Sequence, residues 1–220
     1  MRDHENPDAP DDDAPLDPAE MLALAERQQR AVGLSYAKPV AWMFLVWGVA
    51  WMAGFLLLWS GYAEGNPWFT IPIAVAGVAF GALIVVSIVF SAIVGARIGR
   101  GVRGASDFSG AVYGISWSLS GAAFAALGIG LIQNGLSTEL ASLYFPSAYA
   151  LMAGIMYLAG AALWQVRSQL VLGILLLLIA SVAPFFGAPT NNLVMAVGGG
   201  GGFLIAAAWF WWQLRRQENR

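Results

Sequence analysis

The chain has 220 residues, of which 59% are hydrophobic and only 11% are charged, and its formal net charge is −2. A soluble globular domain usually has about 25% charged residues, so this composition excludes an ordinary soluble domain. The absence of cysteine also excludes disulfides and thiol chemistry, and the net charge indicates no partner because it averages an acidic tail with basic loops.

The N-terminal region is predicted to hold two different segments. Residues 1–16 combine acidic residues, Pro and Ala with almost nothing to bury, so we expect a disordered acidic tail. Asp17 and Pro18 indicate the start of a helix over residues 17–36. Its modest apolar content among basic residues and glutamines predicts an amphipathic helix on the cytoplasmic membrane surface. Pro39 is expected to end this helix or to turn it into the membrane.

Six apolar runs follow, and each is long enough to cross a bilayer, which requires about 20 apolar residues in a helix. They are residues 40–60, 69–94, 110–132, 144–164, 169–186 and 193–212. Within the fifth run, Pro184 is expected to kink the helix. The sequence therefore predicts an all-α polytopic membrane protein with a six-helix transmembrane domain over residues 40–213 and a cytoplasmic tail over 214–220.

Basic residues occur only in alternate loops and in the two terminal segments. They are Arg2, Arg27, Arg30, Lys38, Arg97, Arg100, Arg103, Arg167, Arg215, Arg216 and Arg220. The first, third and fifth loops contain none. By the positive-inside rule both termini are cytoplasmic, and we expect a multi-pass protein of the bacterial cytoplasmic membrane.

The loop between the second and third runs is rich in arginine and glycine. Arg97, Arg100 and Arg103 are spaced three residues apart there. One interpretation is that they only set the topology, as basic residues in cytoplasmic loops generally do. The other is that they bind an acidic partner, a lipid headgroup or a phosphate.

The predicted hydrocarbon region contains no Asp, Glu, His, Lys or Arg, and the only histidine, His4, lies in the acidic tail. Proton-coupled transporters usually place an ionisable residue in the membrane, and intramembrane zinc or serine chemistry needs ligands or a base there. We therefore expect no enzyme activity, no metal site and no cofactor. Three arginines beside a bilayer do not indicate nucleic-acid binding either.

A polar stripe is predicted on the third crossing, with a smaller pair on the second. The residues are Ser109, Tyr113, Ser116 and Ser120, with Trp117 beside them, and Ser87 with Ser91. Their spacing of three or four places each set on one helical face. They either line a polar cavity for permeation or bond to carbonyls of their own or a neighbouring helix.

Two groups of glycines lie within crossings. They are Gly77 and Gly81 on the second, and Gly198, Gly199, Gly200, Gly201 and Gly202 on the sixth. Small residues let neighbouring helices approach closely, which predicts tight helix packing; a gating hinge is the alternative. The same surfaces are candidate faces for a homodimer or for a partner subunit, in addition to the surrounding lipid bilayer.

Three stretches resemble a group of small bacterial six-helix membrane proteins that are commonly labelled transporters without an assigned substrate. They are LALAERQQRAVGLSYAKP before WGVAW, GVRGASDFSGAVYGISW, and GGGGGFLIAAA. The resemblance implies a transport-related membrane component and no functional residues. The alternative hypothesis is a non-transporting membrane anchor or regulatory module for a cytoplasmic partner.

Overall fold

In a computed structural model, the described residues, 17–98 and 105–218, form helices joined by short loops. The elements are α1 (Pro18–Trp59), α2 (Ile73–Ile98), α3 (Ala105–Gln133), α4 (Thr138–Trp164), α5 (Arg167–Val182), a 3₁₀ turn (Ala183–Phe186), α6 (Thr190–Val194), a π-helical segment (Met195–Gly200) and α7 (Gly201–Glu218). The predicted acidic tail, Arg100, Arg103 and Arg220 lie outside the described residues.

Six helical stretches of the described chain are long and apolar enough to cross a membrane, which confirms the predicted number. They are Ala37–Trp59, Ile73–Arg97, Phe108–Gln133, Thr138–Trp164, Arg167–Phe186 and Thr190–Arg216. Helices satisfy their own backbone hydrogen bonds, which a segment in hydrocarbon requires. The fold class is therefore an all-α, multi-pass membrane protein.

The chain divides into two compact units, Met1–Tyr36 and Ala37–Arg220. In the first unit, the described helical residues include the exposed apolar side chains Met21, Leu22 and Leu24. Exposed apolar side chains on a helix are what the predicted surface helix needs for contact with lipid. Its placement on a membrane stays a prediction.

Of the two alternatives predicted for Pro39, an end of the helix is wrong, since Pro39 lies inside α1, and a turn of the helix into the membrane stays a prediction. Proline has no backbone N–H, so it removes one hydrogen bond from the helix. The hydrogen bonds before and after it remain possible, and membrane helices tolerate such a loss when neighbouring groups compensate for it.

The fourth helix begins at Thr138, six residues before the predicted start at 144. Ser137 is its N-cap, and the Ser137 hydroxyl accepts a hydrogen bond from the Leu140 amide at 3.2 Å. Glu139 in the first turn adds a favourable charge at the positive end of the helix dipole. These polar residues fall outside the apolar run, so hydropathy alone missed the first turns of α4.

The last two crossings are less regular than predicted. The fifth ends as an α-helix at Val182 and continues in the 3₁₀ turn that contains Pro184. The sixth changes from α6 into the π-helical segment and then into α7. Hydropathy gave no indication of this segment, because a π-helical turn can be as apolar as the α-helix around it. Such segments are rare and are frequently found at functional positions.

The core of the unit Ala37–Arg220 comes from α1, α4, α5 and the sixth crossing. Its buried residues are Phe44, Trp51, Phe55, Ala150, Ala153, Leu172, Leu176, Ala180, Ala183, Met195, Ala196, Phe203 and Ala207. By contrast, only 11% of the α2 span and 6% of the α3 span are buried. The described contacts place α2 beside α1 and α3 beside α4, and leave most of their surface to lipid or to another chain.

Candidate functional site

The two serines of α2 are hydrogen-bonded to neighbours on α2 and α1. The hydroxyl of Ser87, which is only 1% exposed, donates to the Leu83 carbonyl at 2.8 Å. Ser91 accepts a hydrogen bond from the indole of Trp47 at 2.9 Å. This arrangement matches the structural interpretation of the α2 pair, in which hydroxyls bond within a helix or across to the next one.

The polar stripe of α3 faces a different helix, α4. Tyr113 donates from its hydroxyl to the Met156 carbonyl of α4 at 3.0 Å, whereas the Ser116 hydroxyl donates to Val112 of its own helix at 2.8 Å. Ser109, Ser120 and Trp117 are half-buried along the same stripe. The polar cavity stays a prediction, and the described contacts favour α3 and α4, rather than α2, as its walls.

Three helices meet at Gly160 of α4. A Cβ atom at this position would lie 2.8 Å from the hydroxyl oxygen of Tyr113 on α3 and would collide with Oε1 of Gln169 on α5. Glycine leaves room for both oxygens over this part of α4, whereas a larger residue would displace the end of the Gln169 side chain. We call Tyr113, Gly160 and Gln169 the Gln169 cluster.

Both oxygens of the Gln169 cluster are available as acceptors. Gln169 Oε1 is shielded from solvent and has no hydrogen-bond donor among the described residues. The Tyr113 hydroxyl donates its one hydrogen bond to Met156 and also accepts from the Trp117 indole N–H, so only its remaining lone pair is left for a ligand. Gln169 is the third residue of α5, where a glutamine often bonds back to the helix N-terminus, but here its Oε1 lies against Gly160.

Aromatic rings border the Gln169 cluster at the arginine-bearing end of the membrane span. The ring centroid of Tyr113 is 4.7 Å from that of Trp164 and 6.2 Å from that of Trp117. Trp164 is the last residue of α4, and Arg167 is the first of α5. At 1.5 Å of rise per residue, Gly160 lies about 6 Å from the end of α4. The cluster is therefore close to the predicted membrane surface.

Asn191 replaces a missing backbone donor on α4. Its amide donates to the Ser142 carbonyl at 3.0 Å, and its side chain is 0% exposed. Within α4 that carbonyl would pair with residue 146, which is Pro146 and has no amide hydrogen. Asn191 Oδ1 and the hydroxyl of Ser147 on α4 are both buried without a partner among the described residues. We assign Asn191 a structural role on this basis.

The glycines of the sixth crossing are packed against other helices. A Cβ at Gly200 would lie 2.6 Å from the Met52 backbone nitrogen, and one at Gly199 would lie 2.6 Å from the Trp51 ring. Gly198 is packed against Ile179. Gly202 is packed against Leu175, and Gly201 is more open, with its nearest atom 3.9 Å away on Met52. These contacts support the packing interpretation for this group.

The glycines of the second crossing differ, because a Cβ at Gly77 or at Gly81 would meet nothing within 4 Å in the described structure. In the basic loop, the described residue Arg97 is exposed at the end of α2. The binding and topological interpretations of this loop both stay predictions. Within the described part of the chain, no three His, Cys, Asp or Glu residues come together as a metal site.

Sequence reasoning missed Gln169, Gly160 and Asn191. Gln169 and Asn191 lie just at the ends of apolar runs, where polar residues are ordinarily expected to face water. A signal was present in the isolated glutamine two residues after Arg167 and in the Asn191-Asn192 pair before the sixth run. Neither signal indicates which helix the side chain contacts.

Comparisons with protein-family models, with curated proteins and with solved structures find no match to this chain. They lend no support to the resemblance to transporter-labelled membrane proteins. Support for a function therefore comes from the geometry of the described residues.

Proposed function

We propose that this protein is a transport-related membrane component that binds its solute at the Gln169 cluster. The observation that carries the proposal is Gln169 Oε1, an acceptor shielded between three helices with no donor from the described chain. An unsatisfied polar group away from water costs several kcal/mol. A solute that donates a hydrogen bond accounts for keeping this oxygen in such a position.

A route from the Gln169 cluster into the membrane runs along α3 in this proposal. Ser116 and Ser120 follow Tyr113 at intervals of three and four residues, which keeps all three on one helical face. The π-helical segment Met195–Gly200 supplies an irregular element within the sixth crossing. Such segments often mark functional positions in helices, and we assign it the conformational change that transport requires.

Cysteine accessibility tests the route, and the natural chain contains no cysteine that would complicate labelling. We expect Ser116→Cys and Ser120→Cys to react with a membrane-impermeant thiol reagent applied to the arginine-bearing side, because a transport path admits water. Leu119→Cys is the matched control, since Leu119 is 65% exposed on the apolar surface of α3. A thiol in lipid does not ionise and reacts slowly.

Lack of labelling at both serine positions, from either side of the membrane, would contradict the transport proposal. That outcome would favour the anchor or regulatory module instead. Such a module would depend on the acidic tail, residues 1–16, and its deletion would then abolish partner binding while leaving the membrane domain folded.

A further inference from the structure

We propose that the Gln169 cluster binds a primary ammonium group. This inference rests on the proposed function and deepens it, because it names the chemistry of the solute. Each oxygen at Gly160 keeps a lone pair for a ligand, since the Tyr113 hydroxyl donates to Met156 and accepts from Trp117 through one lone pair only, and Gln169 Oε1 lacks a described donor. With the Gln169 amide oriented so that Oε1 faces Gly160, a ligand at these two oxygens must donate hydrogen bonds, and an anion would bind only if the amide turned its N–H groups towards it.

An ammonium group suits the cluster better than a single hydroxyl donor. Its three N–H bonds allow one nitrogen to serve both Tyr113 and Gln169 at once. Trp164 and Trp117 lie beside Tyr113, and aromatic rings attract cations through their negative faces. A quaternary ammonium would gain the same attraction from the rings but has no hydrogen to give to either oxygen.

The depth of the cluster keeps the cost of burying this charge small. A cation at the centre of a bilayer is expensive, but its cost falls towards the interface. Gly160 is about one helical turn from the end of α4 at Trp164, a residue type enriched at interfaces. The exposed Arg167 begins the next helix, where it is placed to meet a phosphate.

Two sources offer a primary ammonium group at this depth. One is a free organic amine in solution. The other is the headgroup of an ethanolamine phospholipid, whose phosphate would then lie towards Arg167. The chemistry recognised at Tyr113 and Gln169 is the same for both, and the experiment has one arm for each.

The lipid arm uses the full-length protein in nanodiscs that contain equal amounts of phosphatidylethanolamine and phosphatidylcholine. Native mass spectrometry then counts the lipids that the released protein retains. We expect phosphatidylethanolamine to be retained in excess by the natural protein, and Gln169→Leu to reduce that excess about tenfold through loss of a charge-assisted hydrogen bond. Gln213→Leu on exposed α7 surface is the matched control and is expected to leave the excess unchanged.

The free-amine arm measures binding of 2-phenylethylammonium to the detergent-purified protein by calorimetry. Benzyltrimethylammonium and 3-phenylpropionate serve as a cation without a donor and as an anion. We expect 2-phenylethylammonium to bind at least about tenfold more tightly than either probe, and Gln169→Leu to abolish that preference. Gln169→Glu is expected to strengthen its binding about tenfold or more, because a carboxylate is a stronger acceptor.

Preference in either arm that depends on Gln169 supports the inference and identifies the source. Equal retention of the two lipids together with equal binding of the three small probes would overturn it, as would tighter binding of the anion. Binding does not require a route across the membrane, so the two proposals can fail separately. Labelling of Ser116→Cys and Ser120→Cys without any preference for ammonium would contradict only this inference. A preference for ammonium without labelling at either position would contradict only the transport proposal.

Discussion

At the scale of single residues, the described structure compensates for backbone groups that the helices cannot satisfy themselves. Pro146 deprives the Ser142 carbonyl of its partner in α4, and the Asn191 amide takes that place from 49 residues further along the chain. In a membrane no water is available to do this. The identity of Asn191 is thus explained by the presence of Pro146.

This explanation predicts a specific rescue. Asn191→Leu should lower the free energy of unfolding by about 1–3 kcal/mol, because a buried carbonyl loses its only side-chain donor. Pro146→Ala added to that variant supplies an amide at residue 146 and should recover most of the loss. Thermal unfolding of the four proteins in detergent measures the coupling. If Asn191→Leu lowered the stability equally with Pro146 and with alanine at position 146, the hydrogen bond to Ser142 would not be the reason for the effect.

At the scale of secondary structure, the two glycine groups behave differently although the sequence presents both as packing surfaces. Gly199 and Gly200 in the π-helical segment let α1 approach so closely that its backbone lies against Gly200. Gly77 and Gly81 on α2 have open space around them within the described structure. Glycine in a helix is unfavourable by itself, so close contact accounts for the first group only.

Alanine substitution separates the two groups. We expect Gly200→Ala to destabilise the protein by about 1–3 kcal/mol, because the added methyl group would lie against the Met52 backbone nitrogen and force α1 away. The control, Gly77→Ala, meets nothing and should be neutral or slightly stabilising, since alanine favours helix. The measurement is the unfolding midpoint in detergent. Similar midpoints for the two variants would contradict the packing described for the sixth crossing.

At the scale of the whole molecule, charge is distributed by position along the chain. Glu64 and Glu139 are exposed residues next to the ends of crossings, in segments without basic residues. Arg97 lies at the end of α2 that is far from Glu64, and Arg167 follows the end of α4 that is far from Glu139. We propose that the arginine-bearing side is cytoplasmic, because positively charged loops are retained there during insertion.

Labelling of intact cells checks this orientation. Glu139→Cys should react with a membrane-impermeant maleimide added outside, whereas Arg97→Cys should react only after the membrane is permeabilised. Both positions are exposed, so accessibility to water differs only by side of the membrane. The unsubstituted chain, which has no cysteine, is the background control. A reversed pattern would place both termini outside.

Most of the fold was predictable from the sequence, whereas the candidate site was predictable only in part. Tyr113 was identified from its spacing with Ser109 and Ser116, because residues three and four apart share a helical face. Gln169 and Gly160 were not, since each is one polar or small residue at the end of an apolar run. For Ser87, the sequence left a polar cavity and a hydrogen bond within its own helix as alternatives, and the described structure shows its hydroxyl donating to the Leu83 carbonyl.

The number of membrane-crossing helices was determined by the sequence alone, because length and hydropathy are local properties of each segment. Tertiary structure alone decided that Gln169 and Tyr113 both lie against Gly160, that Asn191 donates to Ser142, and that α2 and α3 border the core. Side chains facing lipid and side chains in the core are equally apolar in such a protein. Hydropathy therefore does not indicate which faces pack together, and only the arrangement of helices does.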